Sequence, residues 1–162
     1  QRLITDVEAE FNNINDVNEQ FTHAFSKLSK WFPNLPQPKI YSQISSFDQS
    51  IIVGENIIGV SLDKYLGEDY PLYAKYYAKD QRATMMRAYI VPDCLNFYLL
   101  SLYPLHDADQ RSQQEKDMHM ARIMYAANTF VGYKAFSTPY VAQVEQYMKA
   151  HKDLSLADLL KQ

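Results

Sequence analysis

The apolar run Ile57-Ile58-Gly59-Val60-Ser61-Leu62 opens directly into an acidic, aromatic segment, Asp63-Lys64-Tyr65-Leu66-Gly67-Glu68-Asp69-Tyr70. Further on, Tyr89-Ile90-Val91-Pro92-Asp93-Cys94 begins a stretch in which Leu95, Phe97, Leu99, Leu100 and Leu102 leave almost no polar stripe. A helix that is apolar nearly all round has to be buried by other elements. The chain is therefore committed to folding around residues 92–102, with Pro92 in the first turn, where its missing N–H costs nothing.

Periodicity on either side of that helix divides the chain into an α+β arrangement. Val7, Phe11, Ile14, Val17, Phe21, Ala24, Phe25 and Leu28 recur at three- and four-residue steps, as on one face of an amphipathic helix, with a break near Asn12-Asn13. Pro33, Pro36 and Pro38 end it. Lys39 to Phe47 alternates and is rich in β-branched and aromatic residues. Ile51-Ile52-Val53 and Ile57 to Leu62, joined at Gly54-Glu55-Asn56, read as a hairpin. A small sheet of about three antiparallel strands is expected, followed by a loop from Asp63 to Lys79. The rest is mainly helical: a short helix at Met85 to Tyr89, a long one over 115–133, one capped by Ser137-Thr138-Pro139, and a last short one with Ser155 as N-cap. With 162 residues and no linker or repeat, a single domain over 1–162 is expected.

Composition excludes several classes. Net charge is −3 with no Lys/Arg block, so the electrostatic footprint of a nucleic-acid binder is missing. A single cysteine, Cys94, leaves no internal disulfide and no cysteine zinc cluster. The apolar runs fall far short of the roughly 20 residues of a membrane-spanning helix. Thirteen tyrosines against four glycines is an unusual balance. Tyr has a large apolar body and a polar tip, so such an excess marks either a wet core edge or a contact surface.

Chemistry-bearing motifs are sparse. His23, His106, His119 and His151 form no H-E-x-x-H helix. His106-Asp107-Ala108-Asp109 reads as a solvated loop, because a metal site needs three or four converging ligands. His119 reads as a structural imidazole and Cys94 as a small core residue. No phosphate-binding glycine loop and no G-x-S-x-G elbow is present. No catalytic residue, metal ligand or cofactor is assigned. Asp63, Tyr65, Glu68, Asp69, Tyr70, Tyr73, Tyr76 and Tyr77 are the candidate partner- or ligand-binding residues, since tyrosines with few lysines compose interface centres and also stack on sugar rings.

Three segments, Ser46-Phe47-Asp48, Gly59 to Asp69 and Tyr89 to Cys94, resemble the gliding-motility lipoprotein GldB family of Bacteroidetes. That family looks distantly similar to zincin peptidases. The resemblance implies that the helix from Pro92 takes the place of the metal helix, with Pro92, Asp93 and Asn96 as degenerate metal-helix positions and hence a pseudo-peptidase. It further implies an N-terminal lipid anchor, through a cysteine just before Gln1, and location at the bacterial outer membrane. The partner is expected to be an outer-membrane protein complex, either secretion or gliding machinery or, given the short tail after Tyr133, a TonB-dependent importer with its surface lipoprotein. Two other readings accompany this one: a surface module that binds glycans or peptides through the tyrosine loop, and a divergent hydrolase around Asp63, Glu68, Asp69 and Asp93.

Overall fold

The computed structural model describes residues 2–162 and has the expected α+β order. Helices α1 (Arg2–Glu10) and α2 (Asn15–Trp31) are separated at the Asn12-Asn13 pair. Arg87 pins that junction, with its Nη1 donating to Asn13 O at 3.0 Å and to Asp16 Oδ1 at 2.9 Å. Its guanidinium lies 4.9 Å from the centre of the Phe11 ring. Strands β1 (Lys39–Gln43), β2 (Ile51–Gly54) and β3 (Ile57–Ser61) follow, then two single-turn helices, α3 (Tyr73–Tyr76) and α4 (Lys79–Arg82). The segment expected to be a loop is thus partly helical, and 3₁₀ turns occupy Leu62–Lys64 and Arg87–Tyr89.

The second half is helical. Helix α5 (Ile90–Leu102) carries Val91, Leu95 and Leu99 fully buried, and Pro92 falls in its first turn. Helix α6 (Gln113–Val131) packs against it, as do α2 and the sheet, while α7 (Pro139–Ala150) and α8 (Leu156–Leu160) pack against α6. Their boundaries follow capping chemistry. Ser112 Oγ accepts from Glu115 N, Thr138 Oγ1 from Val141 N with Pro139 beside it, and Ser155 Oγ from Asp158 N. Gly132, at φ 88°, ends α6 in the left-handed conformation that an L side chain adopts reluctantly. The extra residues expected at the end of α6 are cut off there.

The sheet corrects one expectation. Its order is β1-β3-β2, with β2 antiparallel to β3 but β1 parallel to it, so the sheet is mixed rather than antiparallel. Pairing also stops β1 at Gln43 rather than at Phe47. After Gln43 the chain has to cross the end of β3 to start β2 on the far side, a sideways step of two strand spacings, roughly 9–10 Å. Residues 44–50 make that crossing, and Ser46 and Phe47 take positive φ angles of 55° and 67° to do so. Ile58, Val60 and Ile51 line the face turned to the helices. Tyr41, Ile52 and Ile57 share the other face and are 50%, 43% and 39% exposed.

Phe130 sits fully buried on α6 and meets the Phe32 ring edge-on at 6.4 Å. Phe130→Ala should cost about 3–5 kcal/mol. Urea unfolding should show a lowered midpoint with an unchanged slope.

Candidate functional site

The acidic, aromatic segment is built around Asp63, which is fully buried just beyond β3, where the crossing loop passes. Its Oδ1 accepts from Ser45 N at 2.9 Å and its Oδ2 from Phe47 N at 2.7 Å. Neighbouring side chains hold the same loop. Ser61 Oγ donates to Gln49 O, Lys64 Nζ to Asp48 O at 3.1 Å, and Tyr77 Oη to Phe47 O at 3.2 Å. Lys64 also donates to Tyr77 Oη at 3.0 Å and lies 4.7 Å above the Tyr77 ring. The Phe47 ring in turn is met edge-on by Tyr73, Tyr76 and Tyr77 at 5.4, 5.9 and 6.3 Å. Tyr73 closes the arrangement, donating to Asp63 O while accepting from Leu66 N at 3.0 Å.

The eight candidate binding residues therefore divide. Asp63, Tyr65 and Tyr73 are buried, Tyr70 and Tyr77 are half-buried, and Glu68, Asp69 and Tyr76 are exposed, Tyr76 at 66%. Tyr70 Oη donates to Asp6 Oδ2 at 2.7 Å, which links α1 to the segment, and burial followed by the Asp6 carboxylate pushes its pKa up to about 12. The segment is first of all a fastening for the crossing loop. Four of the thirteen tyrosines, Tyr65, Tyr70, Tyr73 and Tyr77, serve here through hydroxyls that donate to backbone and carboxylate oxygens inside the fold.

The three positions that the resemblance equates with a metal helix lie at the start of α5. Pro92 is buried and its side chain carries no ligating atom. Asp93 Oδ2 accepts from Tyr65 Oη at 2.7 Å. Burial raises Asp93 to about 6, opposed by that hydrogen bond, and burial together with Asp93 raises Tyr65 well above the ordinary phenol range. Asn96 is 8% exposed, and its Oδ1 has no partner among the described residues. No group of three or more His, Cys, Asp and Glu side chains that could hold a metal ion occurs among the described residues. Asp63, Asp93 and the exposed pair Glu68 and Asp69 are not brought into one cluster: the buried Asp63 and the half-buried Asp93 are engaged in separate hydrogen bonds. His119 is a buried imidazole and Cys94 a buried core thiol, as read from the sequence.

Sequence reasoning missed the outer edge of the sheet. Lys39 N donates to Asn56 O at 2.9 Å across the parallel pair. Alternation along a strand then turns the backbone of Lys39, Tyr41 and Gln43 toward β3, and that of Ile40 and Ser42 outward. All five residues of β1 are exposed. Beside them lies a cavity of about 390 Å³ bounded by Phe11, Val17, Phe21, Ile40, Leu62 and Ile90. The alternation of Lys39 to Gln43 carried a signal for this edge, but which strand stands outermost follows from a pairing order that the sequence pattern does not state.

Two variants test this arrangement. Asp63→Asn keeps one acceptor and turns an N–H₂ group toward a backbone donor, so it should lower stability by about 2–4 kcal/mol and speed amide exchange at Ser45 and Phe47. Asp93 titrates higher when folded, about 6 against 3.8, so the folded state binds the extra proton and this contribution to stability declines as pH rises through that window. Asp93→Asn retains an acceptor for Tyr65 and should remove that decline, read from denaturation midpoints measured across the window.

Comparison with curated proteins and comparison with solved structures each give no significant match. The sequence model described as gliding motility protein GldB matches residues 1–138, which span both the fastened crossing loop and α5. The chain belongs to the GldB family of gliding-motility lipoproteins.

Proposed function

We propose that this protein is a non-enzymatic accessory lipoprotein of the outer membrane, docking onto a secretion, motility or TonB-dependent import assembly. The observation that carries the reading is the β1 edge. Ile40 and Ser42 direct their N–H and C=O groups outward beside an apolar cavity, and no strand among the described residues pairs with them. Natural proteins blunt long exposed edges, because an open row of donors and acceptors recruits another strand. An extended segment of a protein subunit in the assembly fits this edge, main chain to main chain, with alternate apolar side chains entering the cavity. Tyr41, Ile52 and Ile57 widen the contact across the outer face of the sheet.

Two facts support a role by contact rather than catalysis. The family is one of motility-associated lipoproteins. At the start of α5, Pro92 and Asn96 are buried and Asp93 is held by Tyr65, an arrangement with the character of structural support. No helix among the described residues is long and apolar enough to cross a membrane.

Ser42→Pro removes an outward N–H while leaving the bonds to β3 untouched, a substitution that an edge strand tolerates. Wild-type protein solubilised from membranes should co-purify with an identified subunit of one of these assemblies, and Ser42→Pro, melting at an unchanged temperature, should lose it. Equal recovery by the variant, or none by the wild type, would sink the docking reading.

A further inference from the structure

Between α6, α7 and α8 lies a second cavity, of about 240 Å³. At roughly 30 Å³ each that is the space of about eight water molecules, enough for one apolar side chain and a small polar group. Met118 and Arg122 stand one turn apart on α6, Gln143, Val144 and Tyr147 come from α7, and Leu159 comes from α8. Val144 and Leu159 are buried, while Gln143 and Tyr147 are exposed and form the mouth. Four of these residues lie beyond position 138, outside the part of the chain that the family model matches, and none borders the β1 edge.

Arg122 sets the chemistry of this cavity. It is half-buried, and burial pulls its pKa down with no carboxylate acting against it. A guanidinium stays protonated all the same. Arg2, Arg87 and Arg111 pair with carboxylates, but Arg122 enters no ion pair among the described residues. Glu145, the acid of α7, is held by Lys134 at 3.0 Å. The Nε of Arg122 is buried without a partner and lies out of reach of any ligand. Nη1 and Nη2 also form no hydrogen bond to the described residues, but they stay accessible.

An unpaired cation beside apolar walls calls for an anion attached to an apolar group, and a carboxylate matches the planar guanidinium. Gln143 adds an amide that both donates and accepts, and Tyr147 adds a hydroxyl. A peptide group next to the carboxylate would use both, whereas the hydrocarbon chain of a fatty acid would leave them idle. We propose that this cavity captures the free C-terminal end of a polypeptide whose last residue is apolar. Its carboxylate accepts from Arg122 Nη1 and Nη2, its last side chain lies against Met118, Val144 and Leu159, and its last peptide group meets Gln143 and Tyr147. Arg122 thereby gains the counter-charge that the described residues do not supply.

Calorimetric titration of the full chain with N-acetyl-glycyl-leucine and with its C-terminal amide tests this. The acid should bind with a Kd of about 0.1–1 mM, as suits a ligand of this size, and the amide at least about tenfold more weakly. Arg122→Gln should abolish the preference for acid over amide. Gln143 is exposed, so Gln143→Glu should fold with an unchanged or higher melting temperature. It places a carboxylate of the chain's own at the mouth and should weaken binding of the acid by about tenfold. Equal binding of acid and amide, no binding of the acid up to about 10 mM, or an affinity unchanged in Gln143→Glu would overturn the proposal. Octanoate binding as tightly as the dipeptide would also overturn it, since the site would then be one for fatty acids.

Discussion

The capture of two loop amides by the Asp63 carboxylate is the interaction on which the sheet half of this protein depends. A mixed three-stranded sheet with β1 outermost obliges the chain to cross the end of β3, and the crossing leaves backbone N–H groups facing inward with no strand to pair them. A buried donor without an acceptor costs about 1–3 kcal/mol, and the positive φ at Phe47 adds a further cost of about 1–2 kcal/mol for a bulky residue. A carboxylate offers two acceptors and makes hydrogen bonds of about 1.5–3 kcal/mol each, enough to offset both costs. Ser61, Lys64 and Tyr77 hold the carbonyls of the same loop.

This arrangement changes the meaning of the tyrosines. Their hydroxyls do inside the fold what backbone ladders do elsewhere, and their rings enclose Phe47. With the acidic, aromatic segment occupied in this way, the proposed contact surface is the neighbouring β1 edge of the sheet. There β1 is exposed throughout and flanked by an apolar cavity. The residues that carry the family likeness, Ser46 to Asp48, Gly59 to Asp69 and Tyr89 to Cys94, coincide with the crossing loop, the segment that fastens it, and the Asp93 that receives Tyr65. These segments together build a structural feature of the sheet half.

Much of this was legible in the chain. The break between α1 and α2, the central place of α5 and the caps at Thr138 and Ser155 follow from periodicity and local hydrogen bonding. The three strands were legible too, and β2 and β3 pair across a tight turn. The parallel pairing of β1 was not, because alternation in Lys39 to Gln43 is the same whichever neighbour the strand takes. Asp63 was equally opaque. In sequence it stands among Lys64, Glu68 and Asp69, which are solvent-accessible to differing degrees, and nothing local distinguishes the one carboxylate that is buried. His119 was legible as a partly buried structural imidazole, but its partner, the carbonyl of Tyr103 after α5, was not.

The sequence by itself determined the longer helices, several of their ends and the commitment to bury α5. Those features depend on contacts three or four residues apart and on capping groups adjacent to the helix. Only the tertiary structure decided the strand order, the burial of Asp63, the inward turn of the tyrosines and the exposed edge of β1. Each of these depends on which distant segments become neighbours, a choice set by the packing of the whole core and invisible to any local pattern.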